Sequence, residues 1–100
     1  MNVGSLDIPL DSIASFCDRH GIARLSLFGS VLRDDFTPES DVDVLVEFLP
    51  GRTPTLPSIA VMEDDLGTML GRRVDLRTPQ ELSRYFRDEV VASARVLHAA

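Results

Sequence analysis

Apolar residues recur with two different periods along the chain, and the change from one period to the other marks the elements. Leu10, Ile13, Ala14 and Cys17 stand at helical spacing, which predicts a helix opening at Asp7-Ile8-Pro9-Leu10 with Asp7 as its N-cap. Gly21 closes it, as a glycine after the last turn commonly does. Arg24-Leu25-Ser26-Leu27-Phe28 alternates instead and predicts a first strand stopped by Gly29. Val31 to Ser40 is a polar connection with room for a short helical turn, ending in the turn-prone run Thr37-Pro38-Glu39-Ser40. Asp41 to Phe48 predicts a second strand, closed by Pro50-Gly51. Beyond the loop Thr53-Pro54-Thr55-Leu56-Pro57, Ser58 is the expected cap of a helix in which Ile59, Met62, Leu66 and Met69 share a face and Gly71 is the stop. Arg72 to Arg77 gives a third strand around Val74-Asp75-Leu76.

The last segment opens with Thr78-Pro79-Gln80-Glu81, a hydroxyl cap, a proline in the first helical position and a glutamate in the third. That signature predicts a final helical region carrying Leu82, Tyr85, Phe86, Val90, Ala94 and Leu97, with a break near Arg87-Asp88 and with Tyr85 and Phe86 in the core. The order is helix, strand, strand, helix, strand, helix. A helix between the second and third strands implies a crossover within one sheet. The expected fold is α/β (α+β): a small mixed β-sheet with helices on one face and the other face open.

Composition narrows the class. A hundred residues, 44% of them hydrophobic, fit one domain over residues 1–100 with one modest core. No apolar run approaches the roughly 20 residues of a membrane span, and the N-terminus has no basic start ahead of an apolar stretch. The default expectation is therefore a cytoplasmic protein. Cys17 is the sole cysteine and has no internal partner, so it is expected to fill space on a helix. A net charge of −6 argues against holding a nucleic acid by phosphate neutralisation. All ten basic residues are arginine, which excludes a P-loop lysine and lysine Schiff-base chemistry. Any nucleotide must be held by arginine, backbone amides and a metal.

The candidate chemistry lies in LFGSVLRDDFTPESDVDVLVEF, Leu27 to Phe48. Residues two apart on a strand share a face, so Asp41 and Asp43 project together while Val42, Val44 and Val46 enter the core. Their Cα atoms should stand about 7 Å apart, near enough for both carboxylates to reach one small cation. Asp75, flanked by Val74 and Leu76, adds a third carboxylate if the strands are neighbours. Magnesium suits such a trio, because it takes oxygen ligands and keeps positions for water and phosphate oxygens. In the Gly29-Ser30 turn, glycine lets the backbone approach a phosphate, and the next amide and the Ser30 hydroxyl can donate to it. Arg33 can pair with a phosphate in fork geometry. Taken singly, each part has a plainer reading: a solvated strand end, a simple turn, a surface arginine. Asp34, Asp35, Glu63, Asp64 and Asp65 read as solvated faces, His20 as a charge at a helix end, and Arg72-Arg73 as residues flanking a strand.

Gly29-Ser30, ten residues, then Asp41-Val42-Asp43 resembles the signature of the DNA polymerase beta-type nucleotidyltransferases. With GRRVDL further on, the chain is similar to the minimal nucleotidyltransferases, from Leu25 to roughly Leu97. The resemblance implies a palm-like fold, metal ligands at Asp41, Asp43 and Asp75, and a phosphate-binding pair at Gly29 and Ser30, with Arg33 a less certain match. It also implies an antitoxin that transfers AMP from Mg-ATP to a tyrosine hydroxyl of a partner HEPN-domain ribonuclease toxin. Two other readings stay open: neutralisation of a partner by contact alone, and transfer to a small molecule or RNA. The short chain and acidic balance disfavour the latter. An open sheet face is available to a partner or to a second copy.

Overall fold

The computed structural model describes every residue except Gly4, Ser5, Asp34, Asp35 and Pro38. The expectations placed on Asp34, Asp35 and Pro38 therefore lie outside the described residues. The elements run β1 Asn2–Val3, β2 Leu6–Asp7, α1 Leu10–His20, β3 Ile22–Phe28, a 3-10 turn Gly29–Leu32, β4 Val42–Phe48, α2 Leu56–Leu70 and β5 Val74–Arg77. A second 3-10 turn Pro79–Glu81, α3 Arg87–Ser93 and β6 Arg95–Ala99 complete the chain.

Four strands form a mixed sheet in the order β5-β4-β3-β6, with β4 and β5 parallel and the other pairs antiparallel. Alternation sends Val42, Val44 and Val46 of β4 into the core, as expected, where they meet Leu25 and Leu27 of β3 and Val74 and Leu76 of β5. Ile13, Phe16 and Cys17 of α1 and Met62, Leu66 and Leu70 of α2 cover that face. The two helices end where glycine permits the left-handed conformation, Gly21 at φ 67° and Gly71 at φ 66°. Burial and the neighbouring Asp18 push the Cys17 thiol up to about 11, so it behaves as packing rather than as a nucleophile.

Several expectations are corrected. Asp7 is not a cap but part of β2, and the hairpin it belongs to tucks Val3 and Leu6 into the core, with Ile8 just beyond it. The cap of α2 is Thr55; Ser58 is its reciprocal partner, with Ser58 N donating to Thr55 Oγ1 at 3.2 Å and Thr55 N to Ser58 Oγ at 2.9 Å. Asp41 precedes β4, and the third strand is Val74–Arg77. The capping box at Thr78 forms, with Glu81 Oε1 accepting from Thr78 N, yet it caps only three residues of 3-10 turn. The expected long last helix is α3 alone, followed by β6, which pairs with the free edge of β3. Tyr85 and Phe86, expected in the core, are 80% and 56% exposed. Arg87 secures this segment by donating to the carbonyls of Pro79, Gln80 and Leu82.

Leu66 is completely buried whereas Leu56 is exposed. Urea unfolding should therefore show Leu66→Ala losing about 2–5 kcal/mol, and Leu56→Ala changing stability by less than about 0.5 kcal/mol.

Candidate active site

The face of the sheet turned from the helices carries the candidate chemistry. The antiparallel pairing of β3 with β4 sets Phe28 opposite Asp43, and the parallel pairing of β4 with β5 sets Asp43 opposite Asp75. One row of that face therefore reads Phe28–Asp43–Asp75. The next reads Val96–Ser26–Leu45–Arg77, in which Ser26 and Leu45 are buried. Two acids remote in sequence are thus direct neighbours, while Asp41, just ahead of β4, is exposed.

The Gly29-Ser30 turn wraps the Asp43 carboxylate. Gly29 has φ 74°, and a Cβ built on it would overlap Asp43 Oδ2, so this position excludes a side chain on two counts. The backbone N–H of Ser30 faces the Asp43 carboxylate and favours its charged form. That amide, expected to face a phosphate, is thus turned to Asp43. Arg33 follows the turn, exposed, with its backbone N–H on Ser30 O at 2.9 Å.

Burial raises the Asp43 pKa above its ordinary value, and the charges of Asp75 and Asp41 raise it further; the Ser30 amide and Arg77 pull the other way. Two other carboxylates thus act on Asp43 here. They are not gathered into a finished cage: among the described residues no three acidic, His or Cys side chains form a group placed to hold a metal ion. Asp75 is turned towards Arg77 instead, whose Nη2 donates to Asp75 Oδ2 at 3.1 Å and whose Nη1 reaches Glu81 Oε2 at 3.5 Å. The donor set itself suits a hard divalent cation, being all oxygen, mutually repulsive and beside a glycine cradle. Asp41, Asp43 and Asp75 are the residues that could hold one.

Three contributors were not legible beforehand. Arg72, expected merely to flank a strand, donates from Nη2 to Thr37 O at 2.5 Å and Ser40 O at 2.6 Å and lies over the Phe36 ring. Arg77 binds Asp75 as above. Glu63, expected to be solvated, accepts from Leu76 N at 2.8 Å and so fastens the edge strand next to Asp75. Only the i, i+2 spacing of Asp75 and Arg77 on one strand could have signalled any of these. His20, at the end of α1, lies 3.9 Å from Asp65 and takes no part in this site.

Fold and site together give a small mixed sheet whose face away from the helices carries paired carboxylates beside a glycine turn. A family model for the nucleotidyltransferase domain matches residues 11–98, and the chain belongs to that family. Within it, the chain is similar to minimal nucleotidyltransferases. It is 33% identical over 76 residues to a candidate protein adenylyltransferase of Methanocaldococcus jannaschii, covering 76% of this chain and 80% of that protein. It is 39% identical over 59 residues to the protein adenylyltransferase MntA of Thermococcus cleftensis, covering 59% of this chain and 58% of MntA. A solved candidate minimal nucleotidyltransferase superposes with TM-score 0.69 at 38% identity, covering 85% of each chain. The same fold recurs, at 20% identity and TM-score 0.63 over 91% of this chain and 70% of the other, in a complex of a tri-AMPylated Shewanella oneidensis HEPN toxin with an MNT antitoxin.

Asp43→Asn removes the like charge opposite Asp75 while keeping an oxygen for the Ser30 amide. A carboxyl whose folded pKa is raised weakens the fold as pH climbs above the ordinary carboxylate range and ceases to do so on acidification. The metal-free variant should therefore melt a few degrees above wild type at neutral pH, with the gain shrinking to nothing near pH ~3, as followed by thermal unfolding across pH. Gly29→Ala should melt lower than wild type at every pH.

Proposed function

We propose that this chain transfers AMP from Mg-ATP to a hydroxyl, a tyrosine being the preferred acceptor, of a partner HEPN-domain ribonuclease toxin, and so acts as its antitoxin. The observation that carries this reading is the pairing of Asp43 with Asp75 beside the Gly29-Ser30 turn, on the open face of a nucleotidyltransferase domain. Its similarity to a protein adenylyltransferase supports a protein acceptor, and the solved complex of an AMPylated HEPN toxin with an MNT antitoxin supports the partner class.

In this scheme Asp41, Asp43 and Asp75 hold magnesium, as one or two ions. Bound there, the metal supplies positive charge to the triphosphate and to the developing pyrophosphate. The Ser30 hydroxyl and the Arg33 guanidinium orient the triphosphate, and the absence of a side chain at Gly29 lets it approach. The acceptor oxygen forms a bond to the α-phosphorus as the bond to the bridging oxygen breaks and pyrophosphate leaves. Asp75 receives the hydroxyl proton, and Arg77, bonded to one of its carboxylate oxygens, leaves the other to take it.

Exposed Tyr85 and Phe86 favour a second reading, neutralisation through contact with little transfer, because an apolar segment on the surface suits a protein partner. One experiment separates the two. Protein, toxin and α-labelled ATP are mixed with magnesium, and label on the toxin is measured alongside its RNase activity. Transfer predicts labelled, inactive toxin with wild type and at least a ~100-fold loss of labelling with Asp41→Ala/Asp43→Ala. An unlabelled toxin silenced equally by wild type and the double variant would leave contact as the mechanism.

A further inference from the structure

Asp41 presents a problem that the sheet does not solve. It is exposed, lies outside β4 and follows a connection of ten residues, yet catalysis of the proposed kind needs its carboxylate fixed beside that of Asp43. The backbone on either side of it is held by two consecutive residues of the α2–β5 turn. On one side, Arg72 Nη2 donates to Ser40 O at 2.6 Å and to Thr37 O at 2.5 Å. On the other side, Val42 N donates to Arg73 O at 2.8 Å. Asp41 is the sole residue between those two tethers.

The Arg72 clamp is built rather than incidental. A terminal guanidinium nitrogen carries two N–H groups, and here each meets one carbonyl, which makes both bonds charge-assisted. The turn they grip is already closed by Ser40 N on Thr37 O at 3.0 Å and Thr37 N on Ser40 Oγ at 3.0 Å, so Arg72 grasps a preformed unit. The guanidinium also lies 4.5 Å from the centroid of Phe36, whose ring packs against the core. The α2–β5 turn that carries Arg72 leads within three residues into Asp75. Glu39, Ser40, Asp41, Gly71, Arg72 and Arg73 line one shallow cleft, so Asp41 and its clamp face the same solvent.

We infer that Arg72 is a positioning residue for nucleotide and metal binding, fixing Asp41 in reach of Asp43 by pinning the backbone immediately before it. The inference rests on the proposed role of Asp41, and it adds a residue that touches neither substrate nor metal. A lysine cannot replace it fully, because an ammonium lacks the plane that stacks on Phe36 while reaching two carbonyls.

The test is calorimetric affinity for magnesium with a non-hydrolysable ATP analogue, together with amide hydrogen exchange at Ser40 and Asp41. Arg72→Ala is expected to bind roughly tenfold more weakly and to exchange faster at both amides. Arg72→Lys should fall between that and wild type, and Arg73→Ala, which keeps its carbonyl, should bind as wild type does. A folded Arg72→Ala with wild-type affinity overturns the inference. Should Arg72→Ala not fold, Arg72→Lys decides, wild-type affinity again overturning it. Asp41→Asn separates the two layers: weak binding there beside unaffected Arg72→Ala rejects the clamp alone, while wild-type binding by Asp41→Asn rejects the carboxylate site beneath it.

Discussion

Two carboxylates stand opposite each other on adjacent parallel strands, and the rest of the site is arranged around that pairing. Like charges directly across a ladder destabilise it, and here Asp75 acts on Asp43 from the neighbouring strand while Asp41 adds to the effect. The register cannot relax to separate them. A slip of one residue would turn Val42, Val44 and Val46 out to the open face, exchanging a modest repulsion for the loss of the central part of the core. Hydrophobic burial therefore enforces an electrostatic conflict, and the Ser30 amide and Arg77 moderate it without removing it.

Other features of the molecule serve to hold that face steady. Glu63 of α2 fastens the edge strand by accepting from Leu76 N, and Gly29 brings the turn against the Asp43 carboxylate where any side chain would collide. Arg77 joins Asp75 to Glu81, whose other oxygen accepts from Thr78 N, so the candidate site is bonded to the start of the exposed C-terminal segment. Leu45 and Ser26 are buried on the same face, the Pro79–Glu81 turn lies near β4, and Asp43 and Asp75 stay partly exposed.

The central elements were legible because their signals are local. Gly21 and Gly71 end helices through their own backbone freedom, and the period of two in Val42, Val44 and Val46 is that of a strand sending these side chains into the core. The motif spacing brought Gly29, Ser30, Asp41, Asp43 and Asp75 forward as a set, and the structure brings Gly29, Ser30, Asp43 and Asp75 together, with Asp41 just ahead of β4. What escaped was decided by tertiary context. Val90, Ala94 and Leu97 mimic a helical stripe, but β3 offers an unpaired edge, and Arg95–Ala99 gains more by completing the sheet than by extending α3. The box at Thr78 formed as written, yet nothing downstream of Glu81 buries a helical face, so the turn ended there. The roles of Arg72 and Glu63 depend on partners thirty-five and thirteen residues away and leave no trace in spacing, whereas Arg77 stands only two residues from its partner Asp75.

The proposed site has Asp41, Asp43 and Asp75 converging on bound divalent metal. Paramagnetic broadening of backbone amide resonances during a manganese titration tests it most directly, since it locates the ion without requiring turnover. The amides of residues 29–30, 41–43 and 75 are expected to broaden first and together. Broadening that begins instead around Glu63, Asp64 and Asp65 on α2, with those amides untouched, would contradict it.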